Sequence, residues 1–169
     1  MGIRVRILGA GGAFSSLSTS FSINENILID CGESIIKKEI NDKFKSPILD
    51  NIKHLFITHT HSDHINGLEQ FLYYRLISNQ FKKLDLTIYG NEDVLNYYKA
   101  LAISNANPTN NNDLYMPFNF KLLKKSMSTI EIDDLNINTL ETKHMKGKLD
   151  CFGFIFSNQI NPINKVILT

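Results

Sequence analysis

The sequence predicts an α/β domain in which strands and helices alternate along the chain. Short apolar and β-branched runs typical of buried strands occur at 54–58 and 84–90, and each is followed by apolar residues at helical spacing. Four residues able to bind a metal also lie within His59-Thr60-His61-Ser62-Asp63-His64, directly after the first of these runs. This cluster therefore lies on a strand-to-helix loop.

Length and composition indicate one globular domain over residues 1–169, with 43% hydrophobic residues to form its core. The 18 basic and 17 acidic residues leave a formal net charge of +1. No global field therefore attracts nucleic acid or an anionic membrane, although a local basic patch is compatible with this balance.

Neither a membrane anchor nor a leader is expected. No stretch approaches the ~18 apolar residues of a spanning helix, and the first residues run straight into a strand pattern. We therefore expect a cytoplasmic protein with no membrane partner. Cys31 and Cys151 lie in apolar contexts without a Cys-x-x-Cys neighbour, which indicates two buried free thiols.

The first predicted strand, 3–8, ends at Gly9-Ala10-Gly11-Gly12. A strand followed by Gly-x-Gly invites comparison with the dinucleotide-binding fingerprint, whose glycines let a pyrophosphate approach a helix. The comparison fails because Phe14 takes the third glycine position and the hydroxyl-rich segment 15–20 favours turns over helix. A Rossmann domain is therefore not expected.

A hairpin follows, with strands at 21–23 and 26–29 around the polar pair Asn24-Glu25. The second strand delivers Asp30-Cys31-Gly32-Glu33, and an amphipathic helix is predicted from Ser34 to Lys45. Asp30 is placed to cap that helix.

The β-α alternation continues after the metal-binding loop. We predict a helix from His64 to about Asn79, a strand at 84–90, and a helix from the N-cap Asn91 to about Ser104. The Asn-rich segment 105–113 is predicted to be a mobile loop. Three apolar residues after it would pack in the core or form a substrate wall: Tyr115, Met116 and Phe118. The last predicted elements are strands at 118–123, 134–141, 151–156 and 166–169.

Ligand chemistry favours a metal site over a chance polar cluster. His59 and His61 can point at one ion while Asp63 and His64 point at another beside it. Imidazole and carboxylate together suit Zn²⁺, with Fe or Mn as lesser options. His144 follows a predicted strand in the same way as the first cluster does, although a lone histidine is usually an ordinary polar residue.

The His-x-His-x-Asp-His string resembles the signature of the metallo-β-lactamase superfamily of metallohydrolases. The resemblance implies an αββα sandwich, in which two mixed sheets lie face to face with helices outside. It also implies that His144 is the third histidine ligand and that Asp30 supports the metal loop from behind. The glycine-rich loop would lie at the mouth of the site, where its amides and hydroxyls contact substrate through Gly11, Gly12, Ser15 and Ser16.

Members of this superfamily use two zinc ions that share a bridging hydroxide, which Asp63 would orient here. Their bridging aspartate and last histidine would lie beyond Thr169, so the chain resembles roughly the N-terminal two-thirds of such a domain. It would be a fragment, a subunit completed by a second polypeptide or a second copy, or an incomplete relative. The last apolar strand favours the first two, because an unpaired edge promotes association.

Three segments, 8–12, 29–33 and 151–154, look most like the phosphodiesterase branch, which includes tRNA-processing ribonuclease Z. The tRNA-gripping arm of that enzyme would have to fit into the short interval 145–169, and the chain lacks the charge of an RNA binder. We therefore expect hydrolysis of a small phosphodiester such as a cyclic nucleotide. The alternatives are a ribonuclease Z-like endonuclease and a non-catalytic binding module.

Overall fold

The computed structural model describes residues 2–40, 46–78, 85–105, 118–124, 129–144, 149–163 and 165–168. These residues form two β-sheets with helices packed on one of them. In chain order the elements are β1 (Val5–Gly9), β2 (Ser20–Ile23), β3 (Ile27–Ile29), α1 (Glu33–Glu39), a 3₁₀ turn (Leu49–Asn51), β4 (His54–Phe56), α2 (Ser62–Ile65), α3 (Leu68–Ser78), β5 (Thr87–Gly90), α4 (Glu92–Asn105), β6 (Asn119–Leu122), β7 (Ile130–Ile132), β8 (Leu135–His144), β9 (Leu149–Asn158) and β10 (Lys165–Leu168).

The first sheet has the strand order β1-β2-β3-β4-β5-β6. Strands β1 to β3 are antiparallel neighbours, whereas β3 to β6 run parallel. Parallel neighbours need crossover connections, and α1, α3 and α4 lie within them. Since the carboxyl ends of parallel strands meet at one edge of a sheet, the segments that follow β3 and β4 are neighbours there.

The second sheet is antiparallel, with the order β10-β9-β8-β7. Its centre is a long hairpin in which the pairing runs from Leu135 opposite Asn158 to His144 opposite Leu149. The backbone N–H of Phe152 in this hairpin donates to the carbonyl of Thr58 over 3.1 Å. The end of the hairpin that carries His144 is therefore joined to the segment that follows β4.

Strand alternation divides the core into two apolar layers. Leu28 and Leu55 face α1 and α3, together with residues such as Ile35 and Phe71. Phe56 faces the other way, stacks on Tyr89 at 4.1 Å between ring centroids, and meets Phe154 of the second sheet edge-on at 5.1 Å. Because successive side chains of a strand point to opposite faces, the first sheet packs against the helices on one side and against the second sheet on the other.

The predicted α/β class and the sandwich of two face-to-face sheets are confirmed, and the described residues contain three of its four layers. Within them, the outer face of the second sheet is uncovered, and it leaves Leu140 and Ile167 exposed. None of the helices in this described part of the chain is long and apolar enough to cross a membrane.

Several predicted elements need correction. The helix expected from His64 to Asn79 is two helices, α2 and α3, because the N–H of Gly67 donates to the carbonyl of Cys31 at the break between them. Strands β8 and β9 extend beyond the predicted 134–141 and 151–156, and β7 was not predicted. The hairpin at Asn24-Glu25 is confirmed, and both residues have the positive φ that such a turn requires.

Asn91 caps α4 as expected, since its Oδ1 accepts the N–H of Val94 over 2.9 Å. Both thiols are buried and free. The predictions for 41–45, for the loop at 106–113, and for Tyr115 and Met116 lie outside the described residues. Phe118, the third residue of the suggested substrate wall, packs in the helix-side core.

Candidate metal centre

The segment from 57 to 65 carries four of the predicted ligands at the carboxyl end of β4. His61 has extended backbone angles (φ −67°, ψ 147°) and is the N-cap of α2, so Asp63 and His64 lie in the first turn of that helix. His59 and His61 therefore precede the helix, and Asp63 and His64 lie within it.

Three histidines converge at this edge of the molecule. His59, His61 and His144 each offer a ring nitrogen, and these nitrogens lie within 4.8 Å of one another. The nitrogens of His144 (Nε2) and His61 (Nδ1) are 3.1 Å apart. His144 comes from the end of β8, so the second sheet completes a cluster that the first sheet begins.

His59 is buried and its two ring nitrogens have different surroundings. Its Nδ1 lies 2.9 Å from the hydroxyl of Thr58, whereas its Nε2 is buried and has no hydrogen-bond partner among the described residues. Burial, with the neighbouring histidines, lowers the pKa of His59 to about 3, so the ring is neutral. A buried nitrogen that lacks a partner, in a ring that packs beside the imidazoles of His61 and His144, suits a metal cation.

His64 lies between two carboxylates. Its Nδ1 is 2.7 Å from Oδ2 of Asp30, and its Nε2 is 3.4 Å from Oδ2 of Asp63. Burial alone would lower the pKa of His64, but the hydrogen bond and charge of Asp30 outweigh it and raise that pKa. If Nδ1–H donates to Asp30, then Nε2 carries a lone pair toward Asp63, and an ion or a proton is needed between them.

Asp30 lies behind the loop and is almost fully buried. Its carboxylate accepts the backbone N–H of Thr58 over 2.8 Å and the Thr58 hydroxyl over 3.0 Å. Burial raises the pKa of Asp30, although His64 and Thr58 act in the opposite direction. The residue has a positive φ of 58°, a conformation that aspartate tolerates better than most residues.

The helix-capping role suggested for Asp30 is wrong. The N-cap of α1 is Gly32, and no side chain caps this helix. The carboxylate of Asp30 instead bonds to Thr58 and His64, as the support role requires. Thr58 itself was not predicted, because a hydroxyl that ends an apolar strand has no periodic signal. Its position directly before the His-x-His string was the available clue.

The glycine-rich loop lies beside Asp63, at Gly12. A Cβ built on Gly12 would be 3.9 Å from Oδ2 of Asp63, and Ser15 shares a small cavity with Asp63. Gly11 is packed tightly against Ser15, and its carbonyl accepts the hydroxyl of Thr19 over 3.0 Å. Ser16 is exposed and lines none of the described cavities. The structure thus brings Gly12 and Ser15 close to Asp63, but not Ser16.

A cavity of about 330 Å³ opens on the histidines. His59, His64 and His144 line it together with Asp30, and three threonines and apolar residues such as Phe152 form the remaining wall. This volume lies near the lower end of the ~300–1,000 Å³ typical of small-molecule sites.

Solved structures share this fold, and curated proteins are similar to this chain in sequence. The metallo-β-lactamase fold protein YhfI from Bacillus subtilis superposes with a TM-score of 0.66 at 16% identity, over 92% of this chain and 58% of that one. A ribonuclease Z from Clostridioides difficile is 29% identical over 168 residues, which is 95% of this chain and 51% of the relative. The fold and these sequence relatives define a member of the metallo-β-lactamase superfamily, in its phosphodiesterase and ribonuclease Z-like branch.

The family within this branch follows from the sequence. The profile of the family Anti-Pycsar protein Apyc1 matches residues 3–163, and the chain belongs to this family. The Apyc1 protein of Bacillus phage BSP38 is 37% identical over 91 residues, which cover 50% of this chain and 34% of the phage protein. The chain thus spans between a third and a half of the length of the curated relatives it matches.

Proposed function

We propose that the protein is a zinc-dependent phosphodiesterase that acts on a small phosphodiester such as a cyclic nucleotide. The observation that carries the proposal is the buried Nε2 of His59, which has no hydrogen-bond partner among the described residues. Its ring clusters with those of His61 and His144, and His59 and His144 line a cavity. Three imidazoles that converge in this way suit zinc better than magnesium or calcium, which prefer oxygen ligands.

His59, His61 and His144 would hold one zinc ion, and Asp63 with His64 would hold a second. Bound zinc supplies a Lewis acid for the phosphoryl oxygens and lowers the pKa of a coordinated water toward neutrality. The protein fixes the ligands through hydrogen bonds. The Thr58 hydroxyl accepts Nδ1–H of His59, Asp30 accepts Nδ1–H of His64, and both Nε2 atoms then keep their lone pairs.

Asp63 would also take part in catalysis. Its Oδ2 lies near both His64 and Gly12 of the glycine-rich loop. A carboxylate on the metal-binding loop that lies beside the substrate loop is placed to accept a hydrogen bond from the nucleophilic water and so orient it toward phosphorus. The exposed loop amides and the Ser15 hydroxyl would contact the phosphodiester.

The size of the cavity supports a small substrate. An RNA-processing role is a second candidate, because the relatedness to ribonuclease Z extends over 95% of the chain. Between Leu149 and Leu168, however, the described residues form β9, β10 and a short connection, and none of them forms an RNA-gripping arm. The near-neutral net charge of +1 also gives little long-range attraction for RNA.

The test measures metal content and turnover on the same samples. The full chain is loaded with zinc, and bound metal is counted by mass spectrometry. Hydrolysis is then followed with bis(p-nitrophenyl) phosphate, with cyclic mononucleotides and with a precursor tRNA. We expect turnover of the first two substrates, His144→Gln to lose bound zinc, and Asp63→Asn to lower kcat by about 100-fold or more.

The matched control is His54→Gln, which changes the fifth histidine of the chain. His54 begins β4 and contacts the hydroxyl of Tyr89 at 3.2 Å, away from the cluster. This variant should retain zinc and activity. Zinc-loaded wild type that cleaves no phosphodiester would refute the proposal and favour a non-catalytic binding module, whereas cleavage of the tRNA alone would favour the endonuclease.

A further inference from the structure

Asn91 connects the first sheet to the hairpin that carries His144. The residue directly follows β5 and is buried, with 5% of its surface exposed. Its Oδ1 accepts the N–H of Val94 as the cap of α4, and its Nδ2 donates to the backbone carbonyl of Asp150 in β9. A backbone N–H can only donate, so the amide oxygen faces Val94 and the amide nitrogen faces Asp150. One end of this buried amide therefore serves the helix, and the other serves the second sheet.

The carbonyl that accepts this bond lies close to the third histidine. Asp150 lies opposite the residue that precedes His144 in the pairing of β8 with β9. The backbone bond from Phe152 to Thr58 also joins β9 to the first sheet, but it lies two residues farther along β9, away from His144. Asn91 therefore holds the hairpin nearer to His144 than that backbone bond does.

Strand β10 does not cover this part of β9. Among the described residues, its pairing with β9 ends at Leu168 opposite Phe154. Residues 150 and 152 are alternate residues of one strand, so their backbone groups point to the same edge of β9. Asn91 and Thr58 accept or donate along that edge. These two residues of the first sheet thus take the place of a neighbouring strand beside the metal centre.

We infer that Asn91 is a positioning residue of the metal centre, and that its bond to Asp150 holds His144 within reach of the ion that His59 and His61 bind. The inference rests on the proposed zinc-dependent function, and it assigns to that centre a residue that acts through the backbone of β9. Without the bond, the end of the hairpin samples positions that do not bind metal. The apparent zinc affinity then falls by the fraction of molecules in the competent position.

The amide nitrogen distinguishes asparagine from other residues at this position. Aspartate and serine are equally good N-caps, and a helix N-terminus favours a carboxylate. An ionised aspartate has no donor for the Asp150 carbonyl, and a serine side chain is one bond shorter and lies farther from β9. Asn91→Asp and Asn91→Ser therefore keep the cap of α4 and remove the bond to β9.

The expected size of the effect follows from this difference. Loss of one neutral hydrogen bond changes an equilibrium by roughly 2- to 12-fold, which we expect for Asn91→Ser. Asn91→Asp also leaves a buried acceptor facing the carbonyl of Asp150, and such an unsatisfied group changes an equilibrium by roughly 5- to 150-fold.

A double-mutant cycle with His144 tests the inference. The full chain is prepared as wild type, Asn91→Asp, His144→Gln and the double variant, and the dissociation constant of each bound zinc ion is measured by competition with a chromogenic chelator. In the wild-type background we expect Asn91→Asp to weaken zinc binding by about 5-fold or more. In the His144→Gln background the same change should alter zinc binding by less than about 2-fold, because the residue that Asn91 positions no longer binds the ion.

Val94→Ala is the matched control for a purely structural role. Val94 is fully buried in α4, and the alanine variant keeps the backbone N–H that bonds to Asn91. This variant should lower stability in urea unfolding and leave zinc affinity unchanged. The visible absorption of bound Co²⁺ gives a second readout, because it depends on the number and arrangement of the ligands. We expect Asn91→Asp to shift that absorption toward the His144→Gln spectrum, and Val94→Ala to leave it as in wild type.

Equal weakening of zinc binding by Asn91→Asp in both backgrounds would overturn the inference, as would wild-type zinc affinity in that variant. If Asn91→Asp does not fold, the same cycle with Asn91→Ser decides by the same comparison. Phosphodiester turnover is measured on the same samples. Zinc-loaded wild type that cleaves no phosphodiester refutes the proposed function while the cycle still decides the inference, and wild type that binds no zinc refutes both.

Discussion

Replacement of Thr58 by valine should weaken metal binding without removing any ligand. Valine has nearly the shape of threonine, so the main change is loss of one buried hydroxyl. That hydroxyl lies 3.0 Å from each carboxylate oxygen of Asp30 and 2.9 Å from Nδ1 of His59. It donates to the carboxylate and accepts from the imidazole, so it connects the buried anion to a proposed metal ligand.

The magnitude follows from these two bonds. A hydrogen bond to a charged group contributes about 1.5–3 kcal/mol, and a neutral one about 0.5–1.5 kcal/mol, so the hydroxyl contributes roughly 2–4.5 kcal/mol. Asp30 still keeps its bonds to the Thr58 N–H and to His64 in the variant. Loss of an outer hydrogen-bond partner typically lowers metal affinity by about 10- to 100-fold, which we expect for Thr58→Val.

Thr58→Ser is the matched control, because it keeps the hydroxyl and removes only a methyl group, at a cost of about 1 kcal/mol. Zinc affinity is measured by competition with a chromogenic chelator, and stability of the metal-free proteins by urea unfolding. The serine variant should bind zinc within a few-fold of wild type. Equal zinc affinity of the valine and serine variants would refute the role of the hydroxyl in fixing the tautomer of His59.

Three other predictions test the packing and titration of the fold. A Cβ on Gly32 would lie 2.1 Å from the Cβ of Ser18 and 2.5 Å from the carbonyl oxygen of Asp63. Gly32→Ala should therefore lower the stability of the protein, measured by denaturation, and the number of zinc ions bound per chain, measured by mass spectrometry. Phe154 is fully buried between the sheets, and Phe154→Ala should cost about 3–5 kcal/mol in urea unfolding; a loss below 1 kcal/mol would contradict the packing. Burial raises the pKa of three tyrosines to about 12: Tyr74, Tyr89 and Tyr98. Because the folded state favours the protonated form of these tyrosines, their contribution to the stability of the fold is complete below pH 10 and is lost as the pH rises toward 12. Phenolate absorbance and circular dichroism should therefore change together in that range. Full ionisation of the tyrosines before any unfolding would contradict this prediction.

Local pattern predicted most of the first sheet, since its strands are short apolar runs with helices between them. It failed where a distant contact decides the structure. The polar residues from Thr142 to His144 have no strand pattern, but they pair with Leu149 to Cys151 and so satisfy their backbone hydrogen bonds. The helix after the metal loop breaks at Gly67, whose Cβ position would be 2.6 Å from the carbonyl oxygen of Cys31.

In the candidate site, too, some residues could be predicted from local spacing and others depend on distant contacts. His59, His61, Asp63 and His64 could be predicted from spacing because they lie on one loop. His144 came only from a family resemblance, since its neighbours across the two sheets are far away in sequence. The Asp30 to Thr58 contact depends on the parallel alignment of β3 and β4, in which Ile29 lies opposite Phe56. The sequence pattern of one strand does not determine how that strand aligns with its neighbour.

The location of His144 on a different sheet from the other ligands has a consequence for motion. An ion held by His59, His61 and His144 would connect the two sheets, beside the hydrogen bond from Phe152 to Thr58. At a thousandfold excess over its dissociation constant, such a ligand stabilises the connected state by about 4 kcal/mol. Chelation should therefore accelerate amide hydrogen exchange throughout β8 and β9 while the interior of β3 and β4 stays protected. In this fold, metal supply would act as a control on sheet docking as well as on chemistry.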